Sequence, residues 1–454
     1  MHVRQAKSID MTTGSIWREL VEYAIPLLLG NVLQQFYTVI DCITVGRLVG
    51  KEALAAISAT ELIVTILLGM FIGISTGASI TISQFFGADD REGLHDAVHT
   101  TAALTIIMGI IMTVLGILCT NLMLKMASTP EDVMDYASLY LKIYFAGILA
   151  QVIYNMSSGV LRAIGNSKSP LIALIITSVL NIALDVTFVA VFHMGVAGVA
   201  IATIISQIVS AIYLCVLLFR TEENYRLIAK DIAVNTGIAR KIFHIGVPIG
   251  LERSIVALSN TVILSRVNLH GSAALAGWGV FRKIEELVLN GMQSMSLAVS
   301  TFVGQNLGAG KLKRAKEGTK TGMKISLLFT VLVSLIIIVF RKRIVLLFNN
   351  DAKVVEYGSL AIIVILPFIW MNAMYQVAAG EMRGIGNGNA PMIVALTCFV
   401  LIRQAYLFQI ESTTAPLSRI FLSFPVGWFC AAVMMFSYML YSRRKELVLY
   451  NRDN

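Results

Sequence analysis

Long apolar stretches separated by short polar segments recur along the whole chain. A helix of roughly 20 apolar residues can cross a bilayer because it satisfies its own backbone hydrogen bonds in hydrocarbon. The strands of an outer-membrane barrel would alternate apolar and polar residues, and the sequence lacks that alternation. The pattern predicts an all-α polytopic membrane protein with twelve transmembrane helices, at about residues 20–45, 56–82, 97–121, 136–158, 170–191, 196–219, 242–267, 277–303, 325–340, 357–379, 391–410 and 418–440.

Composition agrees with this pattern. The chain of 454 residues is 57% hydrophobic and 14% charged, with a mean hydropathy of +0.77. Soluble domains contain about one quarter charged residues. No small-residue cleavage site follows an early apolar run, so we expect the first span to be a retained helix and not a secretory signal.

The distribution of charge predicts the orientation. With the amino terminus placed in the cytoplasm, the predicted inside segments hold 22 of the 36 Lys and Arg residues. This asymmetry follows the positive-inside rule and predicts that both termini are cytoplasmic. The net charge of +9 includes a basic cluster at 311–320, which we expect to face lipid headgroups and not nucleic acid.

The two halves of the sequence repeat at a spacing of 221 residues. "QFFGA" (84–88) returns as "QNLGA" (305–309), and "GVLRAIGNSKSPLI" (159–172) returns as "GEMRGIGNGNAPMI" (380–393). Each repeat holds six spans, so both enter the membrane from the same side. We therefore predict two six-helix lobes, residues 1–219 and 242–454, related by a pseudo-two-fold axis along the membrane normal and joined by a cytoplasmic linker at 220–241.

Two glycine patterns are interpreted as structural. "RGIGNGNA" is superficially like a phosphate-binding loop, but it follows an apolar helix and its repeat partner "RAIGNSKS" lacks the glycines, so we predict a tight loop. Gly69, Gly73 and Gly77 recur every four residues, which is typical of close helix packing. No GxxxxGK[ST] motif occurs, so uphill transport would have to use an ion gradient.

Polar residues form a stripe within the amino-terminal lobe. Gln34, Tyr37 and Asp41 share one face of the first helix, and Asn181 and Asp185 lie one turn apart in the fifth span. An acid inside a membrane is a functional-site candidate by default. The alternative is that Asp41 lies near the outer end of its helix and pairs with Arg47. Three further residues are candidates to line the same cavity: Asn155, Thr203 and Gln207.

The repeat favours function over packing for the two acids. At the repeat offset, Asp41 corresponds to Val262 or Ile263, and Asp185 corresponds to Tyr406, so the symmetry of the fold does not require these acids. Two nearby buried carboxyl groups take up protons as a pair. We predict that Asp41 is a proton carrier coupled to Asp185.

Other candidate groups are weighed against structural roles. Glu252, Glu285 and Arg403 are secondary candidates for coupling, although pairing among the buried charges of the second half is the commoner outcome. His95 and His99 are four residues apart at a helix start, where we expect a solvated surface and assign no metal. The five cysteines are scattered without metal-ligand spacing, and we expect no cofactor.

Several motifs taken together resemble the multidrug and toxic compound extrusion (MATE) family along nearly the whole chain. They are "YTVIDCITVGRLVGKEALAA", "SQFFGADD", "LRAIGNSKSP", "RKIEELVLNGMQSMSLAVSTFVGQNLGAG" and "AAGEMRGIGNGNAP". The resemblance implies cation-coupled export of amphipathic, often cationic compounds across the bacterial cytoplasmic (inner) membrane. The chain looks closest to the DinF-like branch, whose pattern Asp41, Asn181, Asp185 and Thr203 match. The NorM-like branch instead places carboxylates in the seventh and tenth helices, where this chain has Glu252 a turn early and Asn372.

The sequence thus predicts a proton-coupled antiporter that exports lipophilic cationic compounds by alternating access. It is predicted to act as a monomer, with small molecules, protons and the bilayer as partners and no nucleic acid. Sodium coupling remains open. A lipid-linked oligosaccharide flippase is the alternative, although such a protein should have more spans and a cavity rich in Arg or Lys. No polar constellation at a membrane face suggests an enzyme, and no catalytic residue is assigned.

Overall fold

The computed structural model describes residues 9–127, 129–410 and 415–453, and this part of the chain is all-helical. The α-helices, in chain order, are α1 (Ile16–Leu48), α2 (Lys51–Gly87), α3 (Arg91–Met126), α4 (Glu131–Ala163), α5 (Lys168–Val186), α6 (Gly195–Arg220), α7 (Thr236–Asn268), α8 (Ser272–Gly308), α9 (Leu312–Leu346), α10 (Ala352–Ile365), α11 (Ile369–Ile385), α12 (Asn389–Ala395), α13 (Arg403–Phe408), α14 (Leu417–Phe421) and α15 (Ser423–Asp453).

These helices form the twelve predicted spans. The tenth span is α10 and α11 joined by a 3-10 turn that contains Pro367, and the eleventh is α12 and α13 joined by a π-helical stretch at Leu396–Ile402. Ten spans within the described residues are long and apolar enough to cross a membrane. The other two are α1 and α8, of 33 and 37 residues. The prediction of an all-α, twelve-helix membrane protein is therefore confirmed.

The chain divides into two compact units. Unit 1 contains the residues through Thr13, Glu22–Gly250 and Gly304–Gly310, and unit 2 contains Gly14–Val21, Leu251–Val303 and the chain from Lys311 onward. Each unit has its own apolar core, centred on α2–α4 in unit 1 and on α8, α11 and α15 in unit 2. The lobe and linker boundaries expected from the repeat stay a prediction.

The sequence repeat is also a repeat of contacts. In unit 1 the Ser75 hydroxyl donates to the Asn155 carbonyl at 3.0 Å, which joins α2 to α4. In unit 2 the Ser296 hydroxyl donates to the Gln376 carbonyl at 2.5 Å, which joins α8 to α11. Both partners are 221 residues apart from their counterparts. The two halves therefore pack equivalent helices through equivalent side chains.

The repeated Arg-x-x-Gly-Asn motifs are tight turns between helices. The amides of Gly165 and Gly386 donate to the carbonyls of Arg162 and Arg383 at 3.0 and 2.8 Å, and the glycines have φ of 85° and 98°. These left-handed conformations suit glycine. The Asn166 side chain then accepts a hydrogen bond from the first turn of α5. The loop interpretation of "RGIGNGNA" is confirmed.

Close packing of the α2 glycines is confirmed for two of them. A Cβ built on Gly73 would lie 2.3 Å from the Gly250 amide nitrogen, and one built on Gly77 would lie 2.5 Å from the Ile242 carbonyl oxygen. Only hydrogen fits at these two positions. Backbone contact between α2 and the first half of α7 therefore fixes where the two helices cross.

Candidate functional site

The two acids of the amino-terminal half meet inside unit 1. Asp185, from α5, is fully buried, and Asp41, from α1, is partly buried. Their carboxyl groups interact directly with each other. Asp41 Oδ1 and both oxygens of Asp185 lack a hydrogen bond of normal geometry. Among the described side chains no Lys or Arg pairs with either acid, and the Arg47 side chain lies outside the described part of the structure.

The register between α5 and α6 aligns the other predicted polar residues with Asp185. The hydroxyls of Thr177 and Ser210 are hydrogen-bonded to each other across these antiparallel neighbours. One helical turn further along α5 from Thr177 is Asn181, and one turn back along α6 from Ser210 is Gln207. A second turn in each direction reaches Asp185 on α5 and Thr203 on α6. The sequence-predicted residues of these two helices therefore follow one seam.

Several of these buried polar groups have no partner. Both polar side-chain atoms of Asn181 and the Oε1 atom of Gln207 are buried without a hydrogen bond. Buried polar atoms are nearly always paired, and an unpaired one costs about 1–3 kcal/mol. A cluster of unpaired oxygens with one amide donor, next to two carboxyl groups, has the chemistry of a site for a cation or a hydrogen-bonding ligand. Thr203, by contrast, donates to Val199 in its own helix at 3.0 Å.

A π-helical segment follows Asp185 directly. The last part of the fifth span, Thr187–Val191, is π-helical, and the Thr187 hydroxyl donates to the Ala183 carbonyl at 2.7 Å. Such segments are rare and often occur at functional sites. This widening is not visible in the apolar pattern of the sequence.

Tyrosine side chains surround the acid pair on the α1 side. Tyr37 is hydrogen-bonded to Gln34 and lies within electrostatic range of Asp41 and Tyr154. Tyr144 also interacts with Tyr37, and its hydroxyl donates to Gln151 at 2.7 Å. Sequence reasoning found the α1 residues from their helical spacing.

The two tyrosines from α4, Tyr144 and Tyr154, were missed. The one signal for them was the position of Tyr154, which corresponds to Tyr375 at the repeat offset. The predicted site residue Asn155 lies next to Tyr154, but its amide donates to the Gln151 carbonyl of its own helix at 2.9 Å.

Glu252 lies in a neutralised network in unit 2. Arg383 Nη2 donates to both carboxylate oxygens of Glu252 at 2.9 Å, and the Tyr375 hydroxyl donates to one of them at 2.9 Å. The side chains of Glu252 and Arg383 are 10% and 13% exposed. Asn372, the residue near the second NorM-like position, is buried, and its Oδ1 atom has no partner.

The other two secondary candidates also contact charged or polar partners. Glu285 is fully buried and forms an ion pair with Arg282, one turn earlier in α8. Arg403 lies within electrostatic range of both, donates from Nη2 to the Ser259 hydroxyl at 2.7 Å, and stacks 5.4 Å from the Phe424 ring centroid. Glu285 and Arg403 are thus held close together in unit 2, and their roles in coupling stay a prediction.

His95 and His99 approach a third residue that the sequence does not indicate. Asp231, in the segment between α6 and α7, lies 3.3 Å from His95 Nε2, and the three side chains bring ligand atoms within 4.8 Å of one another. Both ring nitrogens of His99 are already used, because Nδ1 is bonded to the His95 carbonyl and Nε2 accepts from the Ile228 amide. The geometry describes a clamp on this segment, and the assignment of no metal stays a prediction.

The fold and this site define a class of protein. Twelve helices in two repeats, with unpaired polar groups buried between α1, α4, α5 and α6, are the architecture of a membrane transporter. The model of the MatE family matches residues 26–187 and 248–406, once in each half of the chain. The chain belongs to the MatE family.

Relatives agree over nearly the full length. The chain is 27% identical over 442 residues to "Probable multidrug resistance protein YoeA" of Bacillus subtilis (strain 168), covering 96% of each chain. It is 28% identical to "Probable multidrug resistance protein YpnP" of the same organism, over 98% of this chain and 99% of that protein. Among solved structures, "Outward-facing conformation of a multidrug resistance MATE family transporter of the MOP superfamily" matches with a TM-score of 0.90 and 22% identity, covering 97% of this chain and 98% of that one.

Membership of this family decides several predictions. The protein is a multi-pass membrane transporter of small molecules in a family of multidrug exporters, and it is not an enzyme. The resemblance drawn from the sequence motifs is confirmed.

Proposed function

We propose that this protein exports lipophilic, cationic compounds by alternating access in exchange for protons. The coupling site is the Asp41–Asp185 pair of unit 1. The protein acts as a monomer in the bacterial cytoplasmic membrane, with both termini in the cytoplasm. The observation that carries this proposal is the direct contact of two buried carboxyl groups that no cation accompanies among the described side chains.

The chemistry follows from the two charges. If both carboxyl groups were ionised, they would repel each other in a medium that screens them poorly. A shared proton removes that repulsion, and so does a bound organic cation. Proton and cargo therefore compete for one site, and binding of either must weaken binding of the other by the same factor.

The surroundings of the pair suit a cationic, partly apolar cargo. The rings of Tyr37, Tyr144 and Tyr154 supply apolar area and faces that attract a cation. The unpaired amide and carbonyl groups of Asn181 and Gln207 supply hydrogen bonds without a fixed geometry. A site of this composition accepts varied molecules that share a positive charge.

Sodium is the second candidate for the coupling ion. The unpaired oxygens of Asp41, Asn181, Asp185 and Gln207 are hard ligands of the kind that alkali and alkaline-earth cations prefer. Sodium would occupy the same pair and would compete with cargo in the same way. The two ions are therefore distinguished by flux and not by geometry.

The test is dye flux in proteoliposomes under separately imposed proton and sodium gradients. We expect ethidium-type cations to move against a proton gradient, and Asp41→Asn and Asp185→Asn each to abolish that movement while the protein stays folded. Asp135→Asn, at an exposed position on α4, is the matched control and should transport at the parent rate. Parent-rate export by Asp41→Asn under a proton gradient would refute the coupling role, and transport driven by sodium alone would select the second candidate.

A further inference from the structure

The segment that precedes α1 is inserted into unit 1. Met11 is fully buried, and its amide donates to Gln305 Oε1 at 3.1 Å. The Met11 carbonyl accepts from Asn306 Nδ2 at 2.9 Å. Two residues earlier, the Ile9 amide donates to the Gly165 carbonyl at 3.3 Å. Residues 9–13, which we call the latch, are thus bound through their backbone as well as through the Met11 side chain.

The latch binds where the ends of α2 and α8 cross. A Cβ built on Gly87 would lie 1.9 Å from the Gln305 carbonyl oxygen, and one built on Gly308 would lie 2.0 Å from the Gln84 carbonyl oxygen. The two contacts are reciprocal, since Gln84 and Gly87 correspond to Gln305 and Gly308 at the repeat offset. The two helix ends therefore meet backbone to backbone.

Gln305 joins all the parts of this assembly. Its Oε1 atom accepts from the Met11 amide, its Nε2 atom donates to the Ala163 carbonyl at the end of α4 at 2.8 Å, and its own carbonyl touches Gly87. Gln305 and Asn306 are both fully buried. The last turn of α8 cannot leave α2 without breaking these bonds or carrying the latch with it.

The latch has a defined shape and free space beside it. The Asp10 carboxylate accepts from the Thr12 amide and hydroxyl at 2.8 Å each and from the Thr13 hydroxyl at 3.1 Å, which folds the segment into a turn. A cavity of about 310 Å³ adjoins it, lined by Asp10 and Thr12 together with Phe86 and Tyr225. The segment can therefore withdraw as a unit without unfolding its neighbours.

We propose that residues 9–13 are a latch that holds the last turn of α8 against α2 and α4, and that the latch releases when the transporter opens at the end of the molecule where these helix ends lie. The inference rests on the proposed alternating-access function. It assigns to Met11, Gln305 and Asn306 a role in the opening step and none in binding cargo or protons. A weakened latch raises the population of the opened state, and a fastened latch stops transport.

Hydrogen–deuterium exchange of the full-length protein tests the first half of this proposal. Met11→Ala empties the fully buried site, and we expect exchange in peptides covering 83–88 and 304–309 to accelerate at least tenfold. Met126→Ala is the matched control, because Met126 is 79% exposed at the far end of α3, and it should leave these rates unchanged. Exchange in Met11→Ala within a factor of two of the parent overturns the latch.

A reversible crosslink tests the second half. Cysteines replacing Met11 and Asn306 in a background without the native cysteines should form a disulfide that stops dye flux, and reduction should restore flux in the same proteoliposomes. Flux at the reduced rate while the disulfide is intact overturns the proposal. If the parent moves no dye at all, the proposed function fails, and the exchange experiment still decides the latch because it needs no cargo.

Discussion

Loss of the Glu252 carboxylate should destabilise unit 2 without touching the coupling step. Glu252→Gln keeps the shape of the side chain but leaves the Arg383 guanidinium, 13% exposed, without its only anionic partner among the described residues. Removing one partner of a buried ion pair costs about 3–5 kcal/mol, because the remaining charge is uncompensated. For a unit of this size we expect the melting temperature to fall on the order of 10 °C.

The double variant separates charge from packing. Glu252→Leu with Arg383→Met removes both charges, and Tyr375 keeps its contact with the Pro391 carbonyl at 3.2 Å. Replacing a buried pair by apolar side chains is often close to neutral, so we expect the double variant to melt within a few degrees of the parent. Thermal unfolding of the purified protein measures both, with the exposed Glu356→Gln as control. A single variant as stable as the control, or a stable double variant without proton-driven efflux, would refute the structural role of Glu252.

Two further predictions concern topology and packing. Labels at 225–235 and after residue 443 should react from the cytoplasm and a label near His193 from outside, because the even number of spans in each repeat requires it; an external 225–235 would contradict the six-plus-six arrangement. Gly77→Leu should lower the yield of folded, monodisperse protein at least severalfold, since the obstacle at 2.5 Å is backbone, whereas Gly279→Leu, with nothing within 4 Å, should be tolerated; equal yields would refute the packing argument.

The features of the fold that follow local rules were predictable from sequence. Span positions follow from the cost of unpaired backbone in lipid, which sets the length of each apolar run. The Arg-x-x-Gly-Asn turns follow from the left-handed conformation that Gly165 and Gly386 adopt and from the capping oxygen of Asn166. Helical spacing likewise aligned Tyr37 with Asp41 and Asn181 with Asp185. Each of these rules acts over four or five residues, so a single sequence contains the information.

Features that depend on helix rotation and on distant partners were not predictable. Asp231 reaches His95 across 136 residues of chain, and Arg383 reaches Glu252 across 131. Nothing in the local pattern states which face of α4 carries Tyr144 and Tyr154 towards α1, because both faces are apolar. The latch was missed for the same reason. Met11 lies in a polar stretch before the first span, and its partners are nearly 300 residues away.

The repeat separates what the fold requires from what the function requires. The hydrogen bonds of Ser75 and Ser296 occur in both units, so they belong to the scaffold. The charges do not repeat. Three residues of the unit 2 network have counterparts 221 residues earlier: Glu252, Tyr375 and Arg383 correspond to Asn31, Tyr154 and Arg162.

The tyrosine and the arginine are thus kept in unit 1, but an amide replaces the acid that neutralises the arginine in unit 2. The acids of unit 1 lie instead at Asp41 and Asp185, where unit 2 has apolar or aromatic residues and where the described side chains provide no ion pair. In unit 2 the Glu252 carboxylate is bound to Arg383 and is not available to exchange a proton. In unit 1 the two carboxyl groups interact only with each other and with neutral polar groups, which is the arrangement that a site alternating between a proton and a cation needs. The same scaffold therefore supports a fixed ion pair in one half and an exchangeable charge in the other, and this difference is why we place coupling in unit 1.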